Sequence, residues 1–236
     1  MSAFRFKQFE IKHDKSTFKV GTDAVLLGAW TPIPSPCTHI LDVGCGCGII
    51  ALMLAQRSNA QILGVDIDEN SVKEAVENAK NTTWKDRIKF VNQSIQHFCT
   101  PEHKNRFDLI VSNPPFFVNS LKSPVYERNI GRHTDTLPFE ELILSVNHCL
   151  SSSGLFAVIL PATAKDSIQT LCKSQNLHCT NMLQIQPTGN KPVNRVILLF
   201  SREEKELQTE NLTIKNASMD YTKAYRLLTK NFYLSF

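Results

Sequence analysis

Short apolar runs alternate with amphipathic segments along most of the chain. Runs that are rich in β-branched residues and bounded by polar or turn residues predict buried strands. The segments between them carry apolar residues three and four positions apart, as Val72, Ala75, Val76 and Ala79 do, and predict helices. The predicted strands lie at 39–43, 61–65, 88–92, 107–112, 155–160, 179–186 and 196–201, and the predicted helices at 49–56, 70–80, 139–150 and 162–174.

The order of these elements predicts an α/β fold: a seven-stranded, mostly parallel, Rossmann-like sheet with helices on both faces. Strands that are joined through a helix run parallel, by right-handed crossovers. The last two strands flank Pro187-Thr188-Gly189-Asn190, with no predicted helix between them. We therefore expect these two strands to form a C-terminal antiparallel hairpin.

We expect a single domain over residues 1–236. The Pro-rich stretch at 31–36 separates an N-terminal arm, 1–36, from a core at 37–202. The remaining residues, 203–236, are predicted to pack on the core as an extension. Their helical spacing is carried by Tyr221, Ala224, Tyr225 and Leu228.

Composition excludes several classes of protein. No apolar run approaches the roughly 18 residues of a membrane span, and the N-terminus lacks the apolar core of a signal peptide. The seven cysteines form no Cys-x-x-Cys pair, which favours free thiols in a reducing cytoplasm over a disulfide framework or a metal site. The net charge of +4 permits a polyanionic partner without requiring one.

A glycine-rich loop follows the first core strand. Gly44, Gly46 and Gly48 stand at alternate positions, where a glycine backbone can approach a ligand closely. Asp66 ends the next strand, and a carboxylate there can accept hydrogen bonds from both hydroxyls of a ribose. The spacing is not the Gly-x-Gly-x-x-Gly of dinucleotide-binding proteins, and the acidic Asp42 suits a cationic ligand better than a pyrophosphate.

This combination resembles the class I S-adenosylmethionine-dependent methyltransferases. The resemblance implies that the loop from Asp42 to Gly48 lies against the amino acid part of S-adenosylmethionine. It also implies that Asp66 holds the ribose and that Ile67 lies beside the adenine. Such enzymes often carry an Asp after the third strand that accepts a hydrogen bond from the adenine amino group. Here Ser94 stands at that position, and a hydroxyl is a weaker acceptor than a carboxylate.

The segment Asn113-Pro114-Pro115-Phe116 directly follows the strand predicted at 107–112. Each Pro fixes φ and lacks a backbone N–H, and the residue before each Pro is kept out of the helical region. The turn therefore presents carbonyl groups, a side-chain amide and an aromatic ring at the carboxyl edge of the sheet. Together they make an acceptor-rich pocket for a flat group that carries an amine.

The same motif after the fourth strand resembles the acceptor motif of amino-methyltransferases. The resemblance implies that the Asn113 side-chain oxygen and the Pro114 carbonyl accept hydrogen bonds from the amine, while Phe116 stacks on its ring. Acceptors held in place in this way stabilise the transition state electrostatically, and neither a metal nor a strong base is needed. The motif serves adenine N6 in RNA or DNA and also the glutamine amide of translation release factors.

Further segments favour one of these substrates. Only about 38 residues precede the first core strand, too few for the helical N-terminal domain that is usual in glutamine methyltransferases. Segments 4–11, 19–30, 42–52, 128–134 and 231–234 carry a wider resemblance that spans nearly the whole chain. It is to the bacterial tRNA1(Val) (adenine-37-N6)-methyltransferases, which methylate the adenine immediately 3′ of the anticodon.

We expect the tRNA anticodon loop to bind at the mouth of this pocket. Bases of a single-stranded loop can be splayed out and stacked on aromatic side chains, so a flipped adenine would enter beside Phe116 and Phe117. Five basic residues around the pocket are candidates for phosphate contacts: Arg128, Arg132, His133, Lys191 and Arg195.

The resemblance gives two further sets of site residues. The residues of the acceptor pocket are Asn113, Pro114, Pro115 and Phe116. The residues that would bind the cofactor are Thr22, Asp42, Gly44, Cys45, Gly46, Gly48, Asp66, Ile67, Ser94, Ile95 and Asn113.

Three other interpretations remain open. They are a protein glutamine N5-methyltransferase that acts on a translation factor, an RNA-binding module that keeps the fold without the chemistry, and a nicotinamide oxidoreductase. The glycine spacing and Asp42 argue against the oxidoreductase. Within the methyltransferases, an adenine of another RNA or of DNA is a further possible substrate.

Overall fold

The computed structural model describes residues 3–16, 19–115 and 137–235. Its strands are β1 (Ala3–Arg5), β2 (Glu10–Lys12), β3 (His39–Val43), β4 (Gln61–Asp66), β5 (Ile88–Asn92), β6 (Phe107–Ser112), β7 (Leu150–Pro161), β8 (His178–Thr188), β9 (Arg195–Ser201) and β10 (Gln208–Lys215). Its α-helices are α1 (Thr22–Trp30), α2 (Ile49–Arg57), α3 (Glu69–Lys80), α4 (Ile95–Phe98), α5 (Phe139–Cys149), α6 (Lys165–Ser174) and α7 (Lys223–Thr229).

Strands β3 to β10 form one sheet in the order β10-β8-β9-β7-β6-β3-β4-β5. Strand β9 runs antiparallel to both of its neighbours, and the other pairs are parallel. The predicted α/β sheet and its antiparallel hairpin are therefore confirmed. Strand β10 is an eighth member that the sequence did not reveal, because Leu212 is its only buried residue and no apolar run marks it.

The strand order creates a crevice at the carboxyl ends of β3 and β6. From β3 the chain builds outward through β4 and β5, and then returns to place β6 on the other side of β3. Ligands of open α/β sheets bind where the order reverses in this way. The hydroxyl of Ser112 donates a hydrogen bond of 2.9 Å to the carbonyl of Val43. The loops that begin at Gly44 and Asn113 therefore start side by side.

Both faces of the sheet are buried. Alternate strand residues point to opposite sides: Ile40 and Leu109 join α1, α2 and the arm in one core cluster, whereas Leu41 and Ile110 join α4, α5 and α6 in the other. This arrangement confirms the expectation of helices on both faces.

Helix α1 was not predicted. Residues Ala24 to Ala29 are all buried, so the segment shows no amphipathic period. Close packing explains one of its residues, because a Cβ at Gly28 would lie 2.8 Å from the Met53 sulfur of α2. The Pro-rich stretch at 31–36 therefore links α1 to β3, and α1 is itself part of the core.

The first residues of the arm dock against the C-terminal segment. The ring of Phe6 stacks on that of Phe9 with centroids 4.7 Å apart and on that of Tyr233 at 5.8 Å. The amide of Lys7 donates a hydrogen bond of 2.8 Å to the carbonyl of Phe232. Phe6 and Phe9 are buried, whereas Phe4 remains more than a third exposed.

Asn78 of α3 ties the arm to the glycine loop. Its side-chain oxygen accepts a hydrogen bond from the amide of Lys12, and its side-chain nitrogen donates to the carbonyls of Lys12 and Cys47, each at 2.9 Å. Asn78 is buried, so removing its side chain leaves these backbone groups without partners.

We expect Asn78→Ala to lower the free energy of unfolding by roughly 2–3 kcal/mol, since three hydrogen bonds of a buried side chain are lost together. Asn81→Ala is the matched control, because Asn81 directly follows the same helix but is exposed, and its side chain donates only one hydrogen bond, to the carbonyl of Glu77. Urea unfolding of both variants measures the difference. Equal losses for the two would show that Asn78 does not hold the arm.

Candidate functional site

The glycine loop lies in the crevice and is fixed by its own backbone. The amides of Gly44 and Cys45 donate to the carbonyl of Val65, at 2.8 and 3.2 Å, and the amide of Gly48 donates to the carbonyl of Cys45 at 2.9 Å. The amide of Gly46 donates to Asp66. These four N–H groups already have acceptors within the protein, so they do not form an anion cradle. This agrees with the prediction that the loop does not bind a pyrophosphate.

The outer side of the loop is open to a ligand. Gly44 and Gly46 have φ of 70° and 53°, which side chains rarely tolerate. A Cβ at either position would meet nothing within 4 Å. A Cβ at Gly48, in contrast, would lie 2.8 Å from the ring of Phe90. Gly44 and Gly46 thus line free space, whereas Gly48 allows the loop to pack on the sheet.

The Asp66 side chain links the glycine loop to the start of α3. One carboxylate oxygen accepts from the amide of Gly46 at 2.8 Å and the other from the amide of Asp68 at 2.9 Å. Burial raises the pKa of Asp66, although these hydrogen bonds oppose the rise. Each oxygen keeps a second lone pair. The carboxylate therefore has the capacity to accept two ribose hydroxyls while it holds the loop.

Asp42 lies beneath the glycine loop and is fully buried. Its Oδ2 accepts a hydrogen bond of 3.1 Å from the amide of Ala51, and its Oδ1 has no partner within the part of the chain that the structure describes. Burial, opposed by the Ala51 hydrogen bond and assisted by the nearby charge of Asp66, raises the pKa of Asp42 to about 7. A cationic ligand would satisfy this carboxylate.

Asp42 should make the ligand-free protein less stable as the pH rises. Its pKa in the unfolded chain is about 4, so between there and its folded pKa of about 7 the native state holds a proton that the unfolded state has lost. We expect Asp42→Asn to remove roughly 2–3 kcal/mol of the stability loss between pH 5 and pH 7. Unfolding at a series of pH values, with the exposed Asp86→Asn as control, measures this. Parallel profiles for wild type and Asp42→Asn would contradict it.

The remaining cofactor candidates differ in accessibility. Ile67 is 62% exposed, an unusual state for a large apolar side chain, and leaves a surface on which a flat ring can lie. The side-chain nitrogen of Asn92 donates to the carbonyls of Asp66 and Ile67 and so fixes the turn between β4 and α3. Ser94 caps α4 by accepting from the amide of His97, and its hydroxyl also contacts the His97 ring. Ile95 is buried.

Asn113 follows β6 at the crevice and is partly exposed. Within the described ranges its side chain makes no hydrogen bond to protein, so both its oxygen and its nitrogen are available. Pro114 is buried and Pro115 partly exposed. Five predicted site residues lie outside the described residues: Phe116, Phe117, Arg128, Arg132 and His133.

Two predicted RNA-binding residues flank the connection between β8 and β9. Lys191 is exposed in that connection. Arg195 forms an ion pair of 2.8 Å with Asp23 at the start of α1, and each side chain is about a third exposed. Arg195 thereby fastens α1 to β9. Thr22 is exposed beside this ion pair.

Sequence reasoning did not predict the contacts that hold the site in shape. Asn78 supports the glycine loop, Asn92 fixes the turn after Asp66, and Asp23 pairs with Arg195. A polar residue at a position that a helix buries, such as Asn78, is the one signal that a linear sequence could have offered. The partners of Asn92 and Asp23 are apparent only in the folded chain.

Two classes of feature are absent from the described residues. None of their helices is both long enough and apolar enough to cross a membrane. Nor do they contain a group of three or more His, Cys, Asp or Glu side chains placed to hold a metal ion.

Comparison with known proteins adds to this picture. Residues 34–230 match the family model of a methyltransferase domain. A curated protein from Bacteroides fragilis, named tRNA1(Val) (adenine(37)-N6)-methyltransferase, is 41% identical over 231 residues. The match covers 98% of this chain and 97% of that protein.

Solved structures share the fold. A predicted O-methyltransferase from Agrobacterium tumefaciens superimposes with a TM-score of 0.68 at 16% identity, covering 89% of this chain and 96% of that one. A geranyl diphosphate C-methyltransferase from Streptomyces coelicolor, solved in complex with S-adenosyl-L-homocysteine, gives a TM-score of 0.56 at 13% identity over 76% of each chain. The shared sheet, at these identities, is a similarity of fold.

Proposed function

The chain belongs to the family of bacterial tRNA1(Val) (adenine(37)-N6)-methyltransferases, and we propose that it uses Asn113 and Pro114 to hold the amino group of that adenine. It is an S-adenosylmethionine-dependent enzyme. The roles of individual residues below are our proposal.

The residues of the crevice suit S-adenosylmethionine. The Asp42 oxygen that lacks a partner among the described residues favours a cation nearby, and the open faces of Gly44 and Gly46 leave room for the methionine part. Asp66 would accept the ribose hydroxyls, and the exposed Ile67 would cover the adenine. The remaining proposed contacts come from Thr22, Cys45, Gly48, Ser94, Ile95 and Asn113. When bound, the cofactor supplies a methyl group on a sulfonium that departs as a neutral thioether.

The protein's contribution to the reaction is positioning and electrostatics. The adenine amino group is a poor nucleophile, because its lone pair is delocalised into the ring. Hydrogen bonds accepted by the Asn113 oxygen and the Pro114 carbonyl would localise that lone pair and stabilise the developing positive charge. The rigid turn of Pro114 and Pro115 fixes these acceptors before the substrate arrives. We propose that Phe116 stacks on the base.

One observation carries this proposal. The Asn113 amide makes no hydrogen bond within the described residues, and it lies at the topological switch point beside the open glycine loop. An amide that bonds to none of the described residues, next to a cofactor loop, is available for substrate. We further propose that Phe117, Arg128, Arg132, His133, Lys191 and Arg195 contact tRNA and that the enzyme works in the cytoplasm.

Transfer of labelled methyl to tRNA tests the function. We expect valine tRNA with adenine at position 37 to be methylated, and the same transcript with guanine there to remain unlabelled. Mass spectrometry of nuclease digests should place the methyl group on N6. A release factor provides the comparison for glutamine methylation. Label in the release factor and none in tRNA would overturn the proposal.

A further inference from the structure

The charge of the C-terminal extension changes along its length. The stretch before β10 holds Glu203, Glu204 and Glu206 besides Arg202 and Lys205, whereas Lys215 ends the strand. After Asp220, residues 221–235 contain basic side chains but no acidic ones. The segment after β10 is therefore more basic than the one before it.

The basic end of β10 lies at the same edge of the sheet as Asn113. Strand β10 is parallel to β8, while β7 and β8 are both antiparallel to β9. Because β6 and β7 are parallel, the carboxyl ends of β6, β7, β8 and β10 all meet at one edge. Lys215 pairs in register with Thr188, and the amide of Lys191 donates to the Thr188 carbonyl at 3.0 Å. Lys191 and Lys215 thus flank the end of β8.

Helix α7 continues this positive surface away from the site. The amide and hydroxyl of Thr222 donate to the carbonyls of Ile214 and Thr213, at 2.9 and 2.6 Å, so the helix begins at the carboxyl end of β10. Lys223, Arg226 and Lys230 follow at i, i+3 and i+7, which places them on one helical face. All three are exposed, and Lys223 and Lys230 are about 10 Å apart along the helix axis.

We propose that Lys215, Lys223, Arg226 and Lys230, called here the α7 strip, bind the phosphate backbone of the substrate tRNA beyond the flipped adenine. The proposal rests on the proposed function, because it extends the same substrate site. A row of cations that begins at the same sheet edge as Asn113, four strands away from β6, matches a polyanion whose strand leaves the pocket and runs along that edge. Contacts of this kind set affinity and orientation, whereas Asn113 and its neighbours select the base.

The test compares two double variants that remove the same charge. Lys223→Gln with Lys230→Gln removes two cations of the α7 strip. Lys104→Gln with Lys173→Gln removes two exposed cations near the amino ends of β6 and β8, at the opposite edge of the sheet. Full-length valine tRNA is titrated against each variant over a series of salt concentrations. Methyl transfer is measured as kcat and as KM for tRNA.

We expect the strip variant to raise the KM for tRNA roughly tenfold and to reduce the salt slope of binding by roughly 1.5. At saturating tRNA its kcat should match wild type, as should its cofactor affinity. If the two double variants show the same tRNA affinity and the same salt slope, the α7 strip does not bind tRNA. The proposed methylation of tRNA would still stand. A wild-type protein that neither binds nor methylates tRNA would overturn the proposed function, and the strip with it.

Discussion

Asn113→Ala should reduce kcat for methyl transfer to tRNA roughly a thousandfold, or about 4 kcal/mol of transition-state stabilisation. The substitution removes an acceptor that has no structural hydrogen bond within the described residues, so the fold should be unchanged. The loss arises because the adenine amine then keeps its delocalised lone pair. Single-turnover transfer at saturating tRNA and cofactor measures the chemical step apart from binding.

Two comparisons separate chemistry from binding. Asn113→Asp keeps an acceptor oxygen and should retain more activity than Asn113→Ala. Asn211→Ala, on the exposed face of β10, removes the same atoms far from the crevice and should leave kcat at the wild-type value. Calorimetric titration of Asn113→Ala with S-adenosylmethionine should show binding largely retained. Wild-type kcat in Asn113→Ala would remove this residue from the reaction.

Asp66→Ala should weaken cofactor binding roughly a hundredfold, because two ribose hydroxyls lose a charged acceptor. The same change leaves the amides of Gly46 and Asp68 without their acceptor. We therefore also expect a loss of about 2 kcal/mol in the unfolding free energy of the ligand-free protein. The two effects are read separately, by cofactor titration and by urea unfolding.

The control for Asp66 is Asp86→Ala, which removes an exposed carboxylate just before β5. It should change neither the cofactor affinity nor the stability appreciably. If Asp66→Ala loses stability but binds the cofactor as tightly as Asp86→Ala does, then Asp66 organises the loop without holding the ribose.

The sequence predicted the elements whose apolar residues form a clear run or recur with a regular period. Strand β3, with its apolar run, and helix α3, with Val72, Ala75 and Ala79 on one side, matched the expected bounds closely. Helix α1 was missed because it is buried on most of its surface, and β10 because only Leu212 of its eight residues is buried. Neither extreme leaves an alternation of apolar and polar positions to detect.

The main residues predicted for the candidate site lie at or next to strand ends. Asp66 ends β4, Asp42 is the penultimate residue of β3 and Asn113 directly follows β6, so parallel topology alone brings them to one edge. The capping role of Ser94 and the ion pair of Arg195 depend on which side chains meet after folding. Asp23 lies 172 positions before Arg195, a separation from which no local pattern could predict the pair.

Strand β10 also bears on how this protein behaves at high concentration. Without it, β8 would end the sheet and present unpaired backbone groups together with Met182, Leu183 and Ile185, a template for pairing with another chain. Strand β10 covers that template and presents Gln208, Thr209, Glu210 and Asn211 to solvent. A polar, charged outer strand is a poor partner for edge-to-edge association. The same segment that leads to the basic helix thus also protects the sheet from aggregation.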